Sequence, residues 1–157
     1  MQLTDEQLDR YARHIVLRDI GGSGQSRLLQ SHVLLIGAGG IGCPAIQYLA
    51  AAGVGTISAV DDDVISLSNL QRQVLYSEAE IGQPKVDAAA KAVRRLNPDI
   101  TFHAIKERIT THTSAEILEG VDVVIDGSDN FATRLIVNDL CLAARVPLVS
   151  AAIGQFH

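Results

Sequence analysis

The feature that most constrains the fold of this chain is a glycine-rich loop that directly follows an apolar run. Residues 33–36 read Val-Leu-Leu-Ile, and residues 37–42 read Gly-Ala-Gly-Gly-Ile-Gly. A continuous apolar run of this length is typical of a strand that is buried on both faces. Apolar and small residues then recur at helical spacing up to Gly53, where a helix would end. The glycines therefore lie between a predicted strand and a predicted helix.

The GxGxxG spacing is informative because the loop lies between a predicted strand and a predicted helix. Without side chains, the loop lets backbone N–H groups and a helix N-terminus approach phosphate. We predict a nucleotide site that includes Gly37, Gly39, Gly40 and Gly42. A tight turn that serves packing alone is the alternative. Asp61 ends the next predicted strand, 19 residues after Gly42, where an acidic residue accepts hydrogen bonds from ribose hydroxyls in NAD as well as in ATP.

Strand and helix alternate along the chain. The predicted strands cover residues 33–36, 56–60, 100–105, 121–125 and 148–151. The predicted helices run from 41 to 53, from Pro84 to Asn97 and from Asn130 to about 144. This alternation predicts an α/β fold, Rossmann-like and doubly wound, with a mainly parallel sheet.

The N-terminal segment, residues 1–30, is predicted to be helical. Thr4 and Gln7 have the spacing of a capping box. One amphipathic helix is expected to run from there to about residue 20, with an apolar side formed by Leu8, Tyr11, Ile15 and Val16. A second, short helical stretch is expected over residues 25–30.

Charge and cysteine content exclude several classes of protein. The chain has 13 Lys and Arg against 18 Asp and Glu and contains no basic block, so nucleic acid is not an expected partner. No apolar run approaches the ~20 residues that span a bilayer, and the acidic N-terminus favours a cytoplasmic location. Cys43 and Cys141 form no CxxC pair, so each is expected to be a small buried apolar residue.

Residues downstream of the glycine loop bear on the choice of nucleotide. Moving a carboxylate onto the α-phosphorus of ATP brings two anions together, so cations must surround the triphosphate. Arg72 and Lys85 are the candidate cations, and Asp129, just after the fourth predicted strand, is the candidate ligand for Mg²⁺. Structural roles stay open for all three. Asp129 could cap the next helix and Lys85 could be a surface charge. Arg72 could pair with Asp61 or Asp63.

Five sequence strings make a more specific pattern than the glycines alone. They are RYARHIVL at 10–17, the glycine loop at 37–42, SLSNLQRQ at 66–73, GQPK at 82–85 and SDN at 128–130. Their order resembles the MoeB/ThiF/HesA family of ubiquitin-activating-like adenylyltransferases. The resemblance covers essentially the whole chain.

The resemblance implies an enzyme that uses ATP and Mg²⁺ to activate the C-terminal carboxylate of a ubiquitin-like sulfur-carrier protein, of the MoaD or ThiS type, as an acyl-adenylate. Molybdopterin or thiamine biosynthesis would be the pathway. Gly40 would lie against the nucleotide, Asp61 would hold the ribose and Asp129 would bind Mg²⁺. The other implied nucleotide contacts are Ser68, Asn69, Gln71, Arg72, Gln73, Lys85 and Asn130.

Arg13 matches the arginine that, in this family, reaches from one subunit into the phosphate site of the other. The resemblance therefore implies a catalytic role for Arg13 and a homodimer. Family members continue well past the length of this chain and carry two CxxC pairs for structural Zn²⁺. We therefore expect residues 1–157 to be a single ATP-binding adenylation domain that is truncated relative to the family, with Zn²⁺ only in the absent C-terminal part.

Two other functions stay open. An NAD-dependent oxidoreductase would use the GxGxxG loop and Asp61, although it leaves residues 68–73 and Lys85 unexplained. A non-catalytic fragment could keep the nucleotide fold and only dimerise or bind a partner.

Overall fold

Five strands form one sheet in the order β3-β2-β1-β4-β5, and every neighbouring pair is parallel. The structure, a computed structural model, describes residues 2–153. The strands are β1 (His32–Ile36), β2 (Thr56–Val60), β3 (Thr101–Ile105), β4 (Val123–Asp126) and β5 (Leu148–Ser150). The strand order reverses between β1 and β4, which is the topology of the Rossmann fold. The predicted Rossmann-like, doubly wound α/β fold is confirmed.

The α-helices alternate with these strands. Within residues 2–153 they are α1 (Asp5–Arg10), α2 (Ala12–Ile15), α3 (Gly21–Gln30), α4 (Gly42–Ala52), α5 (Lys85–Leu96) and α6 (Phe131–Ala144). Short 3₁₀ turns lie at Leu67–Asn69, Glu78–Glu80 and Ala115–Leu118. No helix in this part of the chain is both long and apolar enough to cross a lipid bilayer.

The central strands are buried on both faces, as their continuous apolar runs predict. One face packs against α4 and α5, where Leu35 and Ile57 lie in the same cluster as Val86. The opposite face packs against α6, where Leu34 joins Val137. Full burial of one such side chain contributes about 1.5–3 kcal/mol, so these two layers stabilise the sheet.

Both cysteines are buried in these layers, as predicted. Cys43 is 0% exposed at the start of α4, and Cys141 is 3% exposed on α6. Burial raises the pKa of the Cys43 thiol to about 11, and it raises the pKa of Cys141 as well. Neither thiol is an activated nucleophile.

The single N-terminal helix of the prediction is wrong. The chain forms α1 and α2, which are separated at Tyr11, and α3 begins at Gly21 rather than at residue 25. Tyr11 leaves the helical region of backbone space, and its ring is 2% exposed. Leu8 and Val16 are 44% and 76% exposed, so the predicted apolar side is fully buried only at Tyr11.

Tertiary contacts explain the break at Tyr11. The ring fills the space beside Gly53, where a Cβ would stand 2.6 Å from the Tyr11 Cζ. The phenolic oxygen accepts a hydrogen bond of 2.8 Å from the Nδ2 of Asn97. The N-terminal helices are therefore fixed to the C-terminal ends of α4 and α5, at the amino edge of the sheet.

Candidate functional site

A cleft of about 650 Å³ opens at the carboxyl edge of the sheet. It lies outside the ends of β1, β2 and β4, where the strand order reverses. Parallel α/β sheets bind ligands at this point because the loops after the strands diverge there. The volume falls in the range of about 300–1,000 Å³ that is typical of small-molecule pockets.

Most of the predicted site residues meet in this cleft. Ten of them line it: Gly37, Gly39, Gly40, Asp61, Asn69, Arg72, Gln73, Lys85, Asp129 and Asn130. Four others, all within the described part of the chain, do not line it: Arg13, Gly42, Ser68 and Gln71. The loops after three different strands therefore supply one surface, although their residues are far apart in sequence.

The glycine loop passes directly from β1 into α4. A Cβ on Gly42 would stand 2.0 Å from the carbonyl oxygen of Gly37, so only glycine fits where the helix meets the loop. Gly42 itself is buried. The structure thus gives Gly42 a role in close packing, and its predicted contact with the nucleotide stays a prediction.

Hydrogen bonds hold Ala38, the residue after Gly37 in the glycine loop, in place. Its carbonyl oxygen accepts a bond of 2.8 Å from the hydroxyl of Tyr76, and its N–H donates to Asp61 Oδ2 at 2.7 Å. Tyr76 is 6% exposed, and burial raises the pKa of its hydroxyl, which stays protonated as a donor. The loop is fixed before any ligand binds.

Asp61 lies directly after β2 and joins two loops. Its Oδ2 accepts from Ala38, and its Oδ1 accepts a bond of 2.8 Å from the N–H of Asp63. Burial raises the pKa of Asp61 above its usual value, while these two N–H groups oppose the shift. Each carboxylate oxygen keeps one lone pair for a further donor, as a ribose contact requires.

Lys85 is a buried cation at the start of α5. Its side chain is 6% exposed, and its Nζ lies 2.7 Å from Asp63 Oδ2. The alternative of a surface charge is therefore wrong. The Asp63 side chain is 60% exposed, so water still contacts the carboxylate that pairs with Lys85.

Arg72 is exposed and lines the same cleft. Its Nη1 donates a bond of 3.1 Å to the backbone oxygen of Ser68. It makes no ion pair with Asp61 or Asp63, both of which lie in the described part of the chain. The guanidinium keeps most of its donors free.

The acidic turn after β2 has all three of its carboxylates in use. Oxygens of Asp61, Asp62 and Asp63 lie within 4.8 Å of one another. However, Asp61 accepts backbone N–H groups, Asp63 pairs with Lys85, and Asp62 Oδ2 lies 3.2 Å from the Nε of Arg108. Lys85 and Arg108 thereby offset two of the three charges, and backbone N–H groups solvate the third.

The loop after β4 carries a free carboxylate. The side chain of Asn130 caps α6 by accepting a bond of 2.9 Å from the N–H of Thr133. The alternative that Asp129 caps this helix is therefore wrong. Asp129 is exposed, and within residues 2–153 its carboxylate has no hydrogen bond or ion pair. A carboxylate of this kind is available to a hard cation.

Two buried polar atoms in the cleft lack a partner. Oε1 of Gln73 and Oγ of Ser128 are buried, and neither makes a hydrogen bond with any described residue. Gln73 is 3% exposed. Leaving such an atom unpaired costs about 1–3 kcal/mol, so each of these atoms is available to a water molecule or to a polar ligand in the cleft.

Arg13 lies far from the cleft of its own chain. It belongs to α2, which follows the Tyr11 contact with Gly53 at the end of α4. A helix of the length of α4 spans roughly 16 Å, at 1.5 Å per residue, and the glycine loop lies at its other end. Arg13 is exposed and has no partner within the described residues.

Among the residues that line the cleft and that the sequence analysis did not predict are Arg108, Ile109, Phe131 and Arg134. Arg108 and Ile109 follow β3, and the rule that loops after parallel strands meet at one edge would have found them. Arg134 lies four residues after Asn130 on α6, so helical spacing places it on the same side.

Comparison with known proteins agrees with this geometry. The ThiF family matches residues 11–157. The chain is 50% identical to the SAMP-activating enzyme E1 of Haloferax volcanii over 157 residues, which cover 100% of this chain and 58% of that protein. It is 46% identical to the molybdopterin-synthase adenylyltransferase of Escherichia coli, covering 96% and 61%. The chain thus spans about three fifths of the length of these relatives.

Solved structures share the fold. The structure of E. coli tRNA N6-threonylcarbamoyladenosine dehydratase in complex with ATP superposes with a TM-score of 0.91 at 25% identity, covering 100% of this chain and 65% of that one. E. coli MccB, solved with AMPCPP and MccA, has a TM-score of 0.78 at 30% identity, covering 91% and 44%. With the family match, the cleft and the parallel sheet, the chain belongs to the ThiF family.

Proposed function

We propose that residues 1–157 form the ATP-binding adenylation domain of an enzyme that activates the C-terminal carboxylate of a ubiquitin-like sulfur-carrier protein. The observation that carries the proposal is the meeting of the glycine loop, two cations and a free carboxylate in one cleft. The relatives support it, because one is named a sulfur carrier protein adenylyltransferase, from Thermus thermophilus, and is 46% identical over 156 residues.

The reaction explains why cations belong in this cleft. The carrier carboxylate would attack the α-phosphorus of ATP. The bond from that phosphorus to the oxygen bridging the α- and β-phosphates would break, and pyrophosphate would leave. No general base is needed, since the nucleophile is already ionised. The barrier comes from repulsion between anions, which Arg72 and Lys85 would offset.

The nucleoside fits beside Asp61. The wall of the cleft next to this carboxylate includes the buried side chains of Val60 and Ile109. An apolar wall suits the faces of a purine ring, and the adjacent carboxylate suits the ribose hydroxyls. The unpaired Gln73 Oε1 and Ser128 Oγ would gain partners from ATP or its hydration shell.

Mg²⁺ fits the carboxylate of Asp129. When bound, the ion would neutralise charge on the phosphates and on the leaving pyrophosphate. Asp129 would hold it through one oxygen, because Mg²⁺ takes few protein ligands alongside phosphates and water. The neighbouring Asn130 would keep its capping role and contribute only its position at the rim.

A binding experiment separates ATP from NAD. We expect calorimetry on this chain to give tighter binding for ATP with MgCl₂ than for NAD, since a dinucleotide pyrophosphate does not need two cations and a metal ligand. The matched control is ATP in EDTA. NAD binding more tightly than MgATP would overturn the proposal in favour of an oxidoreductase.

The type of carrier protein and the biosynthetic pathway are further proposals. A MoaD-type or ThiS-type carrier, and hence molybdopterin or thiamine biosynthesis in the cytoplasm, is expected from the resemblance. ATP–pyrophosphate exchange that depends on added carrier tests activity. If this chain binds MgATP but its full-length protein supports no exchange with either carrier, the result would favour the non-catalytic interaction module.

We also propose a homodimer in which Arg13 of one subunit completes the phosphate site of the other. The remoteness of Arg13 from its own cleft supports action in trans. In the full-length protein, mixing Arg13→Ala with Asp129→Ala subunits should form heterodimers with one unaltered site, and some exchange activity should return. If heterodimers form and the mixture stays inactive, Arg13 does not act in trans.

A further inference from the structure

Arg134 makes a fork of hydrogen bonds that joins the ends of β4 and β5. Its Nη1 donates to the hydroxyl of Ser150 at 2.7 Å, and its Nη2 donates to the backbone oxygen of Ala151 at 2.7 Å. The same Nη2 also donates to the backbone oxygen of Ser128. One guanidinium therefore holds two strand ends and the residue before Asp129.

Asp126 completes this arrangement from the end of β4. It is 0% exposed, and its Oδ2 lies 3.6 Å from the Nη1 of Arg134. Its Oδ1 accepts a bond of 2.9 Å from the N–H of Ser128, and its Oδ2 accepts from the Ser150 hydroxyl at 3.1 Å. Such partners offset the cost of burying a carboxylate. Ser128 is thus held at its N–H by Asp126 and at its carbonyl by Arg134.

We propose that Arg134 is a positioning residue that fixes the loop between β4 and α6 so that Asp129 faces the metal. The inference deepens the proposed function and rests on it for the role of Asp129. The Asp129 carboxylate makes no hydrogen bond or ion pair among residues 2–153, so its direction depends on how its backbone is held. The residue before it is fixed at both backbone polar groups by the Arg134 and Asp126 pair.

Direct contact with phosphate is the competing role for Arg134, since its side chain lines the cleft. The side chain is 19% exposed, and both terminal nitrogens are already committed to protein oxygens. A guanidinium whose forked end is occupied is preorganised to hold protein atoms rather than a ligand. The two roles predict different losses.

The informative variant is Arg134→Lys. Lysine keeps the positive charge beside the buried Asp126, so the chain should fold, but a single ammonium cannot reproduce the planar fork. The matched control is Arg94→Lys, which makes the same substitution at an exposed position of α5. Circular dichroism and thermal unfolding would establish that both variants are folded.

The first measurement is the factor by which Mg²⁺ tightens ATP binding, from calorimetry with MgCl₂ and with EDTA. We expect Arg134→Lys to reduce this factor about tenfold, the loss typical when a partner of a metal ligand is removed, while affinity in EDTA stays within about twofold. Arg94→Lys should change neither. An equal loss in MgCl₂ and in EDTA would mean that Arg134 contacts phosphate, and an unchanged factor would also overturn the proposal.

The second measurement needs no ligand. Amide hydrogen exchange by NMR should be about tenfold faster at Ser128 and Ala151 in Arg134→Lys, since their N–H groups bond to Asp126 within the same network. Unchanged exchange would overturn the positioning role. If the unaltered chain shows no Mg²⁺-dependent binding while these amides still respond, the proposed function fails and the loop-fixing role stands alone.

Discussion

At the amino edge of the sheet, Asn97 and Gln25 are both 0% exposed and both ends of each side-chain amide are bonded. At the carboxyl edge, Gln73 is 3% exposed but its Oε1 has no partner within the described residues. Buried polar groups are bonded in folded proteins unless something else supplies the bond. The amino edge therefore satisfies its buried amides within the fold, whereas the carboxyl edge leaves a buried acceptor available to solvent or to a ligand.

The largest effect is expected at Asn97. Its Nδ2 donates at 2.8 Å both to Tyr11 and to the carbonyl oxygen of Ala50. We expect Asn97→Ala to lower the free energy of unfolding by about 2–4 kcal/mol, because two buried acceptors lose their donor. Urea unfolding measures the loss. MgATP affinity of the folded fraction should not change.

The control for this variant is Asn138→Ala, since Asn138 is exposed on α6 and its side chain bonds, among residues 2–153, only to the neighbouring Asp139. That variant should stay within about 0.5 kcal/mol of the unaltered chain. If Asn97→Ala proved equally mild, the amino edge would not be the structural anchor that the comparison requires.

Two buried glutamines test the comparison directly. Gln25→Leu should cost about 1–3 kcal/mol of unfolding free energy, because the carbonyl oxygen of Ala52 loses its donor and His14 loses its partner. Gln73→Leu removes an unpaired oxygen, so its stability should change by less than about 0.5 kcal/mol while MgATP affinity falls roughly three- to tenfold.

Differential scanning calorimetry and isothermal titration on both variants measure these quantities. Each variant serves as the control for the other, since the same side chain is replaced at opposite edges of the sheet. The contrast between the two edges would be wrong if Gln73→Leu lost more unfolding free energy than Gln25→Leu, or if Gln25→Leu lost more MgATP affinity than Gln73→Leu.

Asp129→Ala tests the role of the carboxyl edge in catalysis. In the full-length enzyme we expect ATP–pyrophosphate exchange to fall about tenfold, which corresponds to about 1.4 kcal/mol of transition-state stabilisation. Stability should be unchanged, because the carboxylate is exposed and has no partner within residues 2–153. Asp139→Ala, an exposed carboxylate on α6, is the control. Unaltered exchange would remove Asp129 from the proposed metal site.

The smallest effect concerns pH and Asp61. Burial raises its pKa in the folded chain above the ordinary aspartate value of 3.8, so the folded state binds this proton more tightly than the unfolded state. Between 3.8 and the raised pKa, stability due to this group therefore increases as pH falls. The unfolding free energy of the unaltered chain minus that of Asp61→Asn should therefore become more positive as pH falls through this window. A flat difference across that window would show that the shift is absent.

The sheet could be predicted from the sequence because its central strands carry the pattern without ambiguity. β1 and β2 are buried along almost their whole length, so their apolar runs are continuous. Strand ends differ from the prediction by up to two residues, as at β4, which begins at Val123 rather than at 121. Such boundaries depend on hydrogen bonds to neighbouring strands, which a single sequence window does not contain.

The N-terminal helices could not be predicted in detail for a related reason. The break at Tyr11 arises from contacts with Gly53 and Asn97, which are 42 and 86 positions away in the chain. Local helical spacing is the same whether or not that tertiary contact forms. The packing around Tyr11 therefore decided the outcome against the local pattern.

The candidate site was predictable where its residues directly follow strands, as Asp61 and Asp129 do. Lys85 was predicted as a cation, but its burial beside Asp63 depends on how the acidic turn folds back onto α5. Arg134 was missed because a lone arginine on a helix is normally a surface charge. Only the meeting of β4 and β5 gives it partners.

Asp61 connects parts of the cleft that would otherwise move independently. It bonds to the glycine loop through Ala38 and to the acidic turn through Asp63, whose side chain pairs with Lys85. The entropy of ordering these segments is therefore lost during folding rather than on ligand association. A preorganised cleft of this kind should accept nucleotide with little backbone rearrangement, as a rigid receptor does, and its association rate should be set by diffusion and charge rather than by loop closure.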